Sequence, residues 1–147
     1  MKIKIKHFDE LSTQELYVLL ALRSEVFVVE QHCVYQDLDG LDVKGFHALM
    51  YQKDGQIIGT ARILPKAVVY ETPAIGRFVI SKSARGEGYA HELIRACISE
   101  IERLFLTHEI TISAQEHLEK FYGQHNFVRV GNGYLEDGIP HIKMKRT

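Results

Sequence analysis

Arg85-Gly86-Glu87-Gly88-Tyr89-Ala90 is where the chemistry of this 147-residue chain concentrates. Its two glycines stand just before a run in which Leu93, Ile94, Cys97, Ile98, Ile101 and Leu104 recur at helical spacing. A loop that opens a helix leaves several backbone N–H groups unpaired, and the helix dipole adds partial positive charge at the same place. Together they form a site for a phosphate or pyrophosphate. Glycine lets the backbone come close to the anion, and Arg85 adds a permanent positive charge. The loop is not the dinucleotide fingerprint, because His91 stands where a third glycine would be needed. Nor is it a Walker loop, because no Gly-Lys-Ser/Thr follows.

The elements around the loop alternate in type. Ile3 and Ile5 between lysines read as a strand over 2–8. Ser12-Thr13-Gln14-Glu15 is a capping box, opening a helix with Leu16, Leu19, Leu20 and Phe27 on one side. Residues 32–45 read as a long loop with room for a short helical turn. Strands follow over 46–51 and 56–64, joined at Asp54-Gly55, a hairpin signal. After a connection over 65–73 come a strand over 74–81, the loop, and a helix over 88–105. A strand over 109–114 and a helix over 116–125 lead to strands over 127–130 and 139–145. Gly131-Asn132-Gly133 reads as a turn between these two. This mixed order predicts an α+β fold, a central sheet with helices on both faces, and the length predicts one domain over 1–147.

Bulk properties exclude several classes. Net charge is −1, which argues against a general nucleic-acid or anionic-membrane binder. No apolar run approaches the ~20 residues that span a bilayer. The alternating N-terminus does not read as a signal peptide. Cys33 and Cys97 lack metal-type spacing and read as reduced thiols of a cytoplasmic protein. The eight histidines are scattered, with no His-Glu-x-x-His, so no metal site is expected.

Arg85-x-x-Gly88-x-Ala90 resembles the acyl-CoA pyrophosphate loop of the Gcn5-related N-acetyltransferases. The likeness extends from about Lys2 to the C-terminus. The stretches Leu22 to Gln31 and Glu136-Asp137-Gly138-Ile139-Pro140-His141 resemble the ElaA-like branch of that family. The resemblance implies acetyl-CoA as acyl donor, bound by Arg85, Gly86, Glu87, Gly88, Tyr89 and Ala90 at the pyrophosphate. It implies that the backbone of Phe78, Val79 and Ile80 meets the amide-rich pantetheine arm as a neighbouring strand would. Gln115 stands where the family has Asn and keeps an amide for the same arm. Phe121-Tyr122 matches the family's Phe-Tyr block, while Asn126-Phe127 replaces its Gly-Phe. Asn tolerates the left-handed conformation that follows a helix. Tyr122 is then the candidate general acid for the departing thiolate.

A general base is not evident. Ile110 stands where some family members carry Glu, and alternation turns Glu109 to the other face. Glu30, Glu136 and His141 are the candidates from the branch-like segments. The span from Ser24 to Val43 carries Glu25, Glu30, Asp37, Asp39 and Asp42 and no Lys or Arg. The family shapes its acceptor site there, so Glu30, Asp39, Glu136 and His141 are taken as acceptor-side residues, and a negative pocket would favour a cationic amine. A solvated acidic loop is the alternative, with Arg23 and Arg62 pairing structurally with its acids. The expected acceptor is an amine-bearing small molecule or peptide, and the oligomer a monomer or homodimer. Two other functions compete: a non-catalytic acyl-CoA-binding regulatory domain, and an acyltransferase like the acyl-homoserine-lactone synthases, suggested by Arg23-Ser24-Glu25-Val26-Phe27.

Overall fold

The computed structural model describes residues 1–147. Seven strands form one sheet: β1 Lys2–His7, β2 Phe46–Tyr51, β3 Ile57–Leu64, β4 Ala74–Ile80, β5 Ile110–Gln115, β6 Phe127–Glu136 and β7 Ile139–Arg146. Their order is β1-β2-β3-β4-β5-β7-β6. Every neighbouring pair is antiparallel except β4 and β5. Three helices complete the α+β architecture: α1 Thr13–Arg23, α2 Tyr89–Phe105 and α3 Glu119–Gly123. None is long and apolar enough to cross a membrane.

The capping box forms as the sequence predicts. Ser12 Oγ accepts from Glu15 N–H at 3.0 Å, and Glu15 Oε1 accepts from Ser12 N–H at 2.8 Å. The helix does not continue regularly to Phe27. It widens into a π-helical segment over Ser24–Glu30, a departure that in proteins often marks a functional site. The amphipathic α2 buries Leu93, Ile94, Cys97, Ile98 and Ile101 against Ala48, Met50, Ile58, Ile112 and Met144 of the sheet. Each such Leu or Ile contributes about 2 kcal/mol through its burial. A smaller cluster of Leu22, Val26 and Val79 joins α1 to β4.

Two expectations are corrected. Gly131-Asn132-Gly133 is not a turn. β6 runs through it with a register shift between Val130 and Tyr134, and Gly131 has φ +81°. A left-handed glycine relaxes a bulge as readily as a turn. The chain reverses later, at Asp137-Gly138, where both φ values are positive, +51° and +79°. That is the Asp-Gly signature of a two-residue hairpin. The helix expected over 116–125 is a 3₁₀ turn over Glu116–Leu118 followed by α3. α3 ends at Gly123, and the turn that follows closes at Asn126, with φ +70°.

Candidate active site

β4 and β5 are parallel neighbours that pair only at Ala74 and Thr111. Beyond that point they separate, and the free backbone of each faces an open cleft. On its other side β4 slips register against β3 between Thr60 and Arg62, and Arg77 takes φ +48°. The bulge twists the strand away from β5. The cleft that results has a volume of about 850 Å³. Phe78, Val79, Ile80, Arg85, Gly86, Gly88, Tyr89, Ala90, Gln115 and Tyr122 line it, as do Glu30, Asp39, Glu136 and His141. Glu87 alone among the expected residues does not; its side chain is exposed outside.

At one end of the cleft lies the glycine loop. Gly86 and Gly88 have φ +87° and +82°, values that only glycine adopts without strain. Gly88 caps α2 with no side-chain hydrogen bond. The N–H groups of Gly86, Glu87 and Gly88 donate to no protein acceptor. Arg85 is held in place: its Nε donates to Ile80 O at 3.0 Å, and its Nη1 and Nη2 donate to Glu30 at 2.6 and 3.0 Å. The Arg85 hydrogen bond holds the Glu30 carboxyl below its ordinary range.

Tyr122 sits midway in an aromatic group, with ring centroids 5.0 Å from Phe121, 5.9 Å from Phe127 and 6.2 Å from Phe78. The residue is 6% exposed, and its hydroxyl, which has no hydrogen-bond partner in the protein, opens on the cleft that the side chain lines. Burial, with Cys97 beneath, raises its pKa strongly, so the phenol keeps its proton. Burial also pushes the Cys97 thiol up to about 12, which leaves no thiolate nucleophile there. Cys33 lies on the cleft wall and donates to Asp137 O at 3.3 Å. Gln115 donates to Gln31 across the same gap at 3.5 Å. No three His, Cys, Asp or Glu side chains cluster closely enough to hold a metal ion.

The acidic span does not give the expected field. Arg23, 1% exposed, donates to Asp37 at 2.8 Å and to Asp42 at 2.8 and 3.2 Å. Arg62 donates to Asp39 at 2.9 and 3.0 Å and to Asp42 at 2.9 Å. Arg77 adds contacts to Asp37 and Asp39 at 2.7 and 3.3 Å. Burial by itself would raise Asp39, but hydrogen bonds from Arg62 and the Leu41 N–H outweigh it and hold the carboxyl at about 2. Three arginines thus neutralise three aspartates, and Arg85 neutralises Glu30. The alternative of structural pairing with Arg23 and Arg62 is what the fold contains, and Asp39 presents no free charge to the cleft. Glu136 and His141 are placed differently: Glu136 Oε2 lies 3.4 Å from His141 Nε2, with no arginine on either.

Sequence reasoning did not single out His91, Tyr70 or Arg77, which also line the cleft. His91 Nδ1 lies 2.8 Å from His125 Nε2, beside the Phe121 ring. The only signal for His91 was its place directly after the glycine loop. Arg77 gave none, because its left-handed φ belongs to the bulge.

The comparisons with known proteins agree with this geometry. Residues 9–147 match the family model described as an acetyltransferase (GNAT) domain. Escherichia coli ElaA is 41% identical over 142 residues, 95% of this chain and 92% of that protein. Its crystal structure covers 99% of both chains with a TM-score of 0.92. An acyl-CoA N-acyltransferase from Pseudomonas aeruginosa gives a TM-score of 0.93 at 42% identity and covers 100% of both chains. A cleft between split parallel strands, with a glycine loop at one end, stands in a chain alike over its whole length to these relatives. The chain belongs to the GNAT acetyltransferase family and has its acyl-CoA N-acyltransferase fold.

Proposed function

We propose that the protein moves an acetyl group from acetyl-CoA to an amine by direct attack, with Tyr122 as general acid. One observation carries the reading most directly: the Tyr122 side chain is buried and held protonated, and its unpaired hydroxyl opens on the cleft where β4 leaves β5. The residues present fit the donor. Three unpaired N–H groups at the start of α2 suit a pyrophosphate, and the separated edges of β4 and β5 suit an amide-rich arm. Arg85, Gly86, Glu87, Gly88, Tyr89 and Ala90 would hold the phosphates, and Phe78, Val79, Ile80 and Gln115 the arm. Acetyl-CoA supplies an activated acyl group as a thioester. Tyr122 keeps its proton and donates it where negative charge develops. Glu30, Asp39, Glu136 and His141 form the acceptor side, and Arg85 and the arginine–aspartate network set which of their charges stay free.

Free-thiol release from acetyl-CoA, followed with polyamines, amino acids, amine-bearing antibiotics and short peptides, tests the proposal. Stimulation by one class establishes transfer and names the acceptor chemistry. Tight coenzyme A binding with no stimulation by any class would sink it in favour of an acyl-CoA-binding regulatory domain.

A further inference from the structure

Among the acids that line the cleft, Glu30 and Asp39 are committed to arginines. The carboxylate of Glu136 is not. It stands on the last residue of β6, and His141 stands on β7, with Tyr134 of β6 as the residue paired opposite it. His141 is 7% exposed, and its ring stacks on Tyr134 at 6.2 Å and 23°. Its Nδ1 lies 2.7 Å from the carbonyl oxygen of Ile139. A carbonyl only accepts, so Nδ1 carries the hydrogen there. In the neutral ring this leaves the lone pair on Nε2, and Nε2 faces Glu136 Oε2 at 3.4 Å. Two acceptors then look at the same space with no proton between them. A primary ammonium, with several N–H donors on one atom, satisfies both.

We infer that Glu136 and His141 form the acceptor-ammonium site, and that His141 Nε2 is the base that takes the amine's proton. The inference rests on the acyl-transfer reading and gives it the group that sequence left open. In the step, one N–H bond of the ammonium breaks and an Nε2–H bond forms. The amine keeps the freed lone pair, and the new imidazolium charge sits beside the Glu136 carboxylate. The surroundings are consistent with this. Ser113 Oγ of β5 donates to Glu136 Oε1 at 3.5 Å and is bonded to the Tyr134 hydroxyl, which fixes the carboxylate. Gln115, the cross-strand partner of His141, lies on the same face and lines the cleft. Asp137 lines it too, and Glu116 Oε2 lies beside Gly133 of β6. Lys143, two residues along β7, is turned over the Tyr70 ring at 5.3 Å, and Arg129, beside Gly133, reaches Glu119 at 3.5 Å. Glu136 forms no ion pair with a lysine or arginine, and His141 is the basic group it faces.

Histidine-selective ¹⁵N NMR of the full chain tests this without any turnover, with the His141→Gln variant assigning the signal. The expected result is that the neutral ring carries its hydrogen on Nδ1 and its lone pair on Nε2. Butylamine and butanediamine, as probes, shift its Nε2 resonance saturably, and Glu136→Gln weakens that response about tenfold. A neutral ring with hydrogen on Nε2, or an Nε2 signal indifferent to both amines, overturns the inference. Calorimetric titration with coenzyme A separates the two readings. Coenzyme A binding with a silent His141 leaves acyl transfer standing and removes this base. A responsive His141 without coenzyme A binding does the reverse.

Discussion

Arg85 and Glu30 face each other through two hydrogen bonds, Nη1 to Oε2 at 2.6 Å and Nη2 to Oε1 at 3.0 Å. The pair ties the loop that opens α2 to the last residue of the π-helical segment. The charge that would meet a phosphate is thereby partly neutralised by an acid from the acceptor side. The two side chains are 39% and 30% exposed, so the pair is worth at most about 1 kcal/mol.

Glu30→Gln therefore releases Arg85 at little cost. Coenzyme A affinity should rise by up to about fivefold at low salt, the equivalent of that pair energy. The gain should shrink as salt screens the loop. Calorimetry at two ionic strengths checks it. Weaker binding in the variant would mean that Glu30 serves to aim Arg85 and does not compete for it.

Tyr122→Phe should lower kcat by about 10²-fold or more, the usual worth of a general acid. Coenzyme A affinity and Tm should stay close to wild type, because the hydroxyl bonds to nothing in the protein and the ring packing is kept. Its raised pKa also means that no alkaline fall in rate from Tyr122 appears within ordinary assay pH. Wild-type turnover in the variant would remove Tyr122 from the mechanism.

Gly88→Asp separates charge from strain. A side chain there meets nothing within 4 Å, but φ is +82°, so strain alone costs about 1 kcal/mol. The added carboxylate sits where the unpaired N–H groups attract an anion. Coenzyme A binding should fall more than tenfold, a loss that Gly88→Asn, equally strained and neutral, should largely escape. Equal losses in both variants would place the effect in the backbone.

The loop and α2 were legible because their signals are local: glycines with positive φ, then apolar residues every three or four positions. So was the Asp54-Gly55 hairpin between β2 and β3. What stayed hidden depends on partners distant in sequence. The acids from Ser24 to Val43 read either as a negative pocket or as partners of Arg23 and Arg62, and only the fold decides, because Arg62 lies 20 residues from Asp42 and Arg77, which gave no signal, 38 from Asp39. Gly131 read as a turn because a bulge and a turn ask the same of φ, and only the pairing of β6 with β7 decides between them. Gln115 and His141 are cross-strand partners, a nearness that no spacing of 26 positions suggests.

The arginine–aspartate network makes the last prediction, one about acid stability. Asp39 is held at about 2, and Glu15, under the Ser12 N–H of the capping box, also at about 2. Both folded values lie below the unfolded ones, ~4 for such carboxyls. The native state then binds fewer protons than the unfolded state in between, so stability falls as the pH falls. The contribution is complete above ~4 and is lost as pH drops toward 2. Urea midpoints should be flat from neutral pH to about 5 and fall steeply between about 4 and 2. Glu15→Gln and Asp39→Asn should each flatten part of that fall. Asp42→Asn should do more than reshape the curve. It leaves the buried Arg23 and Arg62 with one carboxylate fewer, and breaking a buried pair costs about 3–5 kcal/mol. An Asp42→Asn protein as stable as wild type at neutral pH would show that the two guanidinium groups find other partners, and that the network does not hold the acceptor wall in place.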